Sequence, residues 1–275
     1  MPAFELDPKI ADYYHRAPES ERLAQGPAQL EELRTRELIE RHARRPPATV
    51  LDVGGAAGAY ALWLAQAGYT VHLIDPVATQ VEEAKRRSAA SARPLASCRV
   101  GDARSLDFTN RAADIILLLG PLYHLTEAAD RARVLGEARR VLKPGGQLFA
   151  AAISRWASAL DGLSRDLLQD PQFAAIVERD LREGQHRNPT ERLDYFTTAY
   201  FHHPEELRAE VSEAGLILDG LYGLEGPGWI LPDVAARLAD PRRRAELLQV
   251  ARALESEPSM LGVSAHLLAV ARVPV

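Results

Sequence analysis

Apolar residues fall along this chain in two rhythms. Short, nearly unbroken runs at residues 49–53 (TVLDV), 70–74 (TVHLI), 96–100, 114–119 (DIILLL) and 147–153 predict strands. Between them, residues 59–67, 79–91 and 127–142 carry apolar positions at helical intervals. Strands that are apolar on both faces, separated by helices, predict a parallel sheet covered on both sides, a doubly wound α/β arrangement. Ahead of it, Leu23, Leu30, Leu33, Leu38 and Ile39 recur at mostly helical spacing from Glu19 to about Arg45, where Pro46 and Pro47 stop the pattern.

After Ile153 the alternation breaks. Residues 160–168 and 173–181 read as helical, and 184–192 as polar and turn-rich. A helix at 204–214 and a strand at 216–222 resume the rhythm, a second helical insertion covers about 232–257, and a last strand covers 265–270. The expected whole is a mostly parallel, seven-stranded sheet. The N-terminal helices and both insertions are expected to form a lid over its C-terminal edge, where open α/β sheets bind ligands.

Composition narrows the classes. The chain has 275 residues, 47% hydrophobic and 26% charged, enough to bury a proper core. A net charge of -5, from 33 basic and 38 acidic residues, gives no overall basic field for nucleic acid. Cys98 is the single cysteine, which excludes an intrachain disulfide and any cysteine-based metal cluster. No apolar run approaches the roughly 18 residues of a membrane span, and the N-terminus lacks the basic and apolar regions of a signal peptide. The expectation is a soluble, cytoplasmic protein that binds neither nucleic acid nor membrane. A homodimer is compatible with these features.

The densest local signal is Asp52-Val-Gly54-Gly55-Ala56-Ala57-Gly58, after a strand and before a helix. Small residues there let the backbone turn sharply and approach a ligand, although any strand–turn–helix junction favours glycine. A dinucleotide fingerprint would place glycines where Ala56 and Ala59 stand, so NAD fits poorly. The stretch resembles the first motif of the class I S-adenosylmethionine-dependent methyltransferases, Asp/Glu-x-Gly-x-Gly-x-Gly. Asp52, Gly54 and Gly58 match, and Ala56 replaces the middle glycine, a departure of one methyl group. The resemblance continues in order over about residues 48–152, through Asp75, Gly101-Asp102, Gly120-Pro-Leu-Tyr-His124 and Leu142-Lys-Pro-Gly-Gly146. It implies a Rossmann-like fold and S-adenosyl-L-methionine as cofactor. Four segments follow: an N-terminal helical lid at 1–45, a cofactor-binding core at 46–153, a cap insertion at 154–202, and a completion of the sheet at 203–275.

Roles can be set beside each residue. Asp75, ending a strand beside the glycine loop and followed by Pro76, can accept both hydrogen bonds of a ribose diol, or be an exposed loop aspartate. Asp102 can accept from an adenine amino group while the Ala103 amide serves a ring nitrogen, or simply form a turn. Leu119-Gly120 would let a methionyl ammonium approach neighbouring carbonyls. Tyr14 and Arg22 are candidates to close the cofactor site, Arg22 by pairing with the methionyl carboxylate, though a solvated arginine fits equally.

Methyl transfer to a hydroxyl also requires a proton acceptor, and histidine matches neutral pH. His124 is the candidate, with Tyr123 orienting it or the substrate; helix capping is the competing role for His124. His42 and His186 read as solvated, His72 and His266 as strand residues. His202-His203 lacks metal-ligand spacing, so no metal is expected. Tyr13, Trp156, Tyr195, Phe201 and Trp229 are expected to wall an acceptor pocket, or to pack a cap, and His202 and Glu225 lie at the same edge.

The leading function is methyl transfer to a hydroxyl of a small-molecule acceptor. N-methylation of a small amine and a noncatalytic S-adenosylmethionine-binding protein remain alternatives. A nucleic-acid aminomethyltransferase is disfavoured, because Gly120 stands where an acceptor side chain would hold the base amine.

Overall fold

Residues 6–16 and 26–275 are described by the computed structural model. In chain order the elements are α1 (Pro8–Arg16), α2 (Ala28–His42), β1 (Thr49–Val53), α3 (Ala59–Gln66), β2 (Thr70–Asp75), α4 (Ala78–Ala89), β3 (Ser97–Val100) and β4 (Ala113–Leu118). Then come α5 (Pro121–His124), α6 (Ala128–Val141), β5 (Leu142–Ser154), α7 (Ala157–Ser164), α8 (Pro171–Glu183), β6 (Gln185–His186) and β7 (Ala199–His202). The chain continues through α9 (Pro204–Glu213), β8 (Ile217–Gly223), α10 (Val234–Ala239), α11 (Pro241–Leu254) and β9 (His266–Arg272).

The expected parallel sheet is present. β3, β2, β1, β4 and β5 lie side by side in parallel, β9 pairs antiparallel with β5, and β8 with β9. Those seven strands are the predicted sheet. Two more were not expected: β5 pairs through Ile153 and Ser154 with Phe201 and His202 of β7, which carries the short β6 beside it. The stretch around 185 is too polar and too short to read as a strand. β5 also starts earlier than expected, because Leu142 pairs with Ala113 and the Lys143–Gly146 turn is absorbed as an irregularity before Gln147 pairs with Ile115.

Alternation along the central strands sends side chains to two cores. Val50, Ile115, Leu117 and Phe149 meet α2, α3 and α4 through Leu38, Ile39, Leu62 and Val81. Leu51, Ile116, Leu118 and Leu148 meet α6 and α9 through Val134, Leu135, Leu207 and Val211. Of the regions expected to form a lid, α1 and the stretch from 154 to 202 supply cavity walls near the ends of these strands, through Ile10 and Tyr14 and through Phe173, Tyr195 and Thr198, whereas α10 and α11 pack on Leu30 of α2. α1 is held there by the Thr197 hydroxyl, which donates to the Lys9 carbonyl at 3.2 Å, and by Tyr13, whose ring packs edge-on against Phe196. On α2 itself, fully buried Arg34 bonds Glu37 and Glu255 and donates to the Leu224 carbonyl at 3.2 Å. No helix among the described residues is long and apolar enough to cross a membrane.

Candidate active site

The glycine loop leaves β1 and folds back over it. Gly54 has φ +74°, and a Cβ there would lie 2.8 Å from the Pro121 ring; a Cβ on Gly55 would lie 2.7 Å from the Asp52 carboxylate. Both positions therefore exclude side chains. Ala56 also adopts a left-handed conformation, φ +46°, so its methyl group is more than the mild change the sequence suggests, because a Cβ is disfavoured in that region. The loop is clasped from the next strand: Asp75 accepts from the Ala56 amide at 2.9 Å and from the Val77 amide at 2.8 Å. Beneath it lies Asp52, 1% exposed, whose Oδ2 has no hydrogen-bond partner among the described residues. Burial first, and then the nearby Asp75 charge, push the Asp52 carboxyl up to about 7.

These groups open onto a cavity of about 280 Å³. Of the residues expected to bind cofactor, Tyr14, Asp52, Gly54, Gly55, Ala56, Asp75, Pro76, Asp102, Ala103, Leu119 and Gly120 all line it, as do Tyr123 and His124. Gly58 instead begins α3 with φ +84°, and Arg22 lies outside the described residues. Asp102 faces the cavity with its carboxylate forked by Arg104, which also reaches Asp130. The turn role and the cavity position of Asp102 thus coexist. A cleft edged by aspartates, with a backbone that two glycines keep free of Cβ atoms, suits a nucleoside carrying a charged tail.

Tyr123 touches His124 through its ring. Its hydroxyl donates to the Leu119 carbonyl at 3.0 Å. The imidazole has polar contacts of its own. The Thr198 carbonyl lies 3.3 Å from Nδ1 and can only accept, so Nδ1 carries the proton; Nε2 then accepts from the Tyr14 hydroxyl at 2.6 Å.

A second cavity, of about 230 Å³, adjoins the first, and Tyr14, Tyr123 and His266 line both. Its walls include Tyr13, Tyr195, Phe201 and Trp229, as expected, together with Phe173 and Phe196. Phe196 holds φ +63°, a strained conformation beside the cavity. Two expected substrate contacts are elsewhere. Trp156 is 37% exposed and packs on His203, while His202 is fully buried with Nε2 3.2 Å from Glu210. Burial lowers the His202 pKa, with Glu210 opposing. His186, expected in solvent, is buried with Nδ1 2.8 Å from Asp180 and stacks on Phe201 under the second cavity.

His266 is the residue that sequence reasoning passed over. It reads as one polar position in an apolar strand, and only the pairing of β9 with β5 brings it to the junction. Its neighbours Glu31 and Glu225 come from α2 and from the turn after β8, and the ligating atoms of the three lie within 4.8 Å of one another.

Comparison with known proteins agrees with the fold. A family model described as "Methyltransferase domain" matches residues 51–150. The ubiquinone/menaquinone biosynthesis C-methyltransferase UbiE of Acidiphilium cryptum is 31% identical over 160 residues, 58% of this chain and 62% of that protein. A ubiquinone biosynthesis O-methyltransferase of Methylocella silvestris is 31% identical over 118 residues, 42% of this chain and 44% of its own length. The chain therefore spans about half of the length of these curated relatives. Among solved structures, an S-adenosylmethionine-dependent methyltransferase from Mesorhizobium loti superposes with a TM-score of 0.59 over 88% of this chain and 99% of that one, at 16% identity, a likeness of fold.

Proposed function

Since residues 51–150 belong to the class I S-adenosylmethionine-dependent methyltransferases, with S-adenosyl-L-methionine as their cofactor, we propose that the whole chain transfers the methyl group to a hydroxyl of a small-molecule acceptor. The first cavity takes the cofactor and the aromatic second cavity takes the acceptor. The observation that carries this reading is their shared wall of Tyr14, Tyr123 and His266, because methyl transfer needs two bound molecules meeting at one point.

S-adenosylmethionine supplies an electrophilic methyl group on a cationic sulfur. The protein's part is to align the acceptor oxygen with that methyl and keep water out. Asp75 would hold the cofactor's ribose, Asp102 and the Ala103 amide its base, and the Leu119–Gly120 backbone its amino-acid tail. Asp52 supports the loop from below. α1 covers the junction through Tyr14.

The proton leaves by His124. As the acceptor oxygen bonds carbon, its proton passes to the Tyr14 oxygen while the Tyr14 proton passes to His124 Nε2, so Tyr14 ends neutral and the charge rests on imidazolium. The relatives named above include a C- and an O-methyltransferase. The Tyr14–His124 pair favours the hydroxyl reading.

The test follows S-adenosylhomocysteine release with phenol-bearing candidate acceptors. His124→Asn should lower turnover by about 10²–10⁴-fold with little change in cofactor affinity, and should erase the fall in rate at acid pH. Near-wild-type turnover with that acid limb intact would remove His124 as the base. Calorimetry finding NAD binding and no S-adenosyl compound bound would remove the cofactor assignment.

A further inference from the structure

Past the end of β3, three consecutive residues, Asp102, Ala103 and Arg104, line the first cavity, and Asp130 of α6 lines it beside them. Arg104 grips Asp102 at three points. Its amide donates to Oδ1 at 2.7 Å, its Nε to Oδ1 at 2.9 Å and its Nη2 to Oδ2 at 2.7 Å. A guanidinium that reaches both oxygens fixes the plane of a carboxylate as well as its position. The arginine is tied down in turn, because Nη1 donates to Asp130 Oδ2 at 2.9 Å in the first turn of α6. The Arg104 side chain is 11% exposed and that of Asp102 25%, so the carboxylate is the more open of the two.

A carboxylate has about four lone-pair sites, two on each oxygen. Arg104 takes two on Oδ1 and one on Oδ2. The accepting capacity that remains lies on Oδ2, and its direction is set by the fork. An acceptor held in this way takes an N–H and repels a carbonyl oxygen. The 6-amino group of adenine offers that N–H. Hypoxanthine carries a carbonyl oxygen at the same position and an N–H on the adjacent ring nitrogen. An aspartate free to swing could turn to that neighbouring N–H, whereas one held at three points cannot.

Resting on the reading that Asp102 holds the cofactor's base, we propose that Arg104 is the positioning residue of that contact: by fixing Asp102 it directs Oδ2 to the 6-amino group and makes the site select a 6-aminopurine over a 6-oxopurine. Lysine would not replace it, since an ammonium supplies charge without the planar fork.

S-adenosylhomocysteine and S-inosylhomocysteine differ only on that edge of the purine and are the probes. Each is titrated by calorimetry into the full chain. Wild type should bind the adenosyl compound about 10–100-fold more tightly, the scale of one hydrogen bond to a charged group. In Arg104→Lys and in Arg104→Met that ratio should shrink at least about fivefold, chiefly because the inosyl compound is rejected less. A merely structural arginine, or one that stacks on the base itself, would weaken both compounds alike and leave the ratio in place, which would overturn the proposal. Asp102→Ala separates the underlying reading. Equal affinities in wild type, or a preference that survives Asp102→Ala, would place the base elsewhere and remove both. A preference lost in Asp102→Ala but kept in both Arg104 variants would remove the positioning role alone. Failure of the cofactor reading is distinct again, because wild type would then bind neither compound.

Discussion

The Tyr14 hydroxyl donates to Nε2 of His124 across 2.6 Å, joining the N-terminal helix to the turn after β4. One bond thus docks α1 over the site and, in the mechanism proposed, carries the proton out. Tyr14→Phe keeps the ring that packs edge-on against His124 and Tyr13 and removes only the hydroxyl. Turnover should fall by about 10²-fold, the lower end of what a general base contributes, with cofactor affinity little changed. Steady-state kinetics with calorimetry checks this. An unchanged rate would make the contact a clasp alone.

Asp75 has two tasks, holding the glycine loop by the Ala56 amide and facing the cofactor cavity. Asp75→Ala should weaken binding of S-adenosylhomocysteine by about 1.5–3 kcal/mol, the scale for hydrogen bonds to a charged group. Asp75→Asn, which keeps one acceptor oxygen, should fall between. Calorimetry reporting wild-type affinity for Asp75→Ala would take the residue out of the cofactor site.

Ala56 carries a side chain at φ +46°. Glycine there relieves about 1–2 kcal/mol of local strain and gives back part of it as unfolded-state entropy. Ala56→Gly should therefore raise stability by up to about 1 kcal/mol in urea unfolding, with cofactor affinity retained. A destabilised variant would show that the Ala56 methyl is packed to advantage.

The sheet was legible because its strands announce themselves by burial on two faces: Val50 and Leu51, or Ile115 and Ile116, serve opposite cores from adjacent positions. The lining of the first cavity was legible because one contiguous loop, Asp52 to Ala57, and the ends of the neighbouring strands supply much of it. What stayed hidden depends on distant pairing. His266 is brought to the junction by its register with Ile153, and Glu225 matters only because Ser264 and His266 converge on it. His202 and Trp156, expected as substrate contacts, line neither cavity for the same reason. Their positions were right to within an edge of the sheet, but the side chains turn toward Glu210 and His203.

Asp52 gives the fold a pH signature. Its carboxyl sits at about 7 when folded, against about 3.9 for a free aspartate. Between those values the folded chain binds a proton that the unfolded chain releases. The stability it contributes is full at the acid end and is lost as pH rises through 7, with a slope of at most about 1.4 kcal/mol per pH unit. Glu37 acts in a separate window: burial raises its pKa, but Arg252 and Arg34 hold it down at about 2, so its contribution is lost only as pH falls below the ordinary carboxylate range. Unfolding of ligand-free wild type and Asp52→Asn from pH 5 to 8 should show the variant gaining on wild type as pH rises. Parallel curves would contradict an elevated Asp52.

The antiparallel seating of β9 against β5 has a consequence for synthesis. The ribosome completes the glycine loop, the strand-end aspartates and even Tyr14 long before it reaches His266. During elongation β5 can have β4 on one flank while the flank that β9 will occupy is still bare. A nascent chain at that stage has most of a cofactor cleft but an apolar strand edge in place of the junction. The wall that His266 adds between the two cavities is accordingly completed only when β9 arrives, and until then the bare side of β5 is an unpaired apolar edge of the kind that invites wrong pairing.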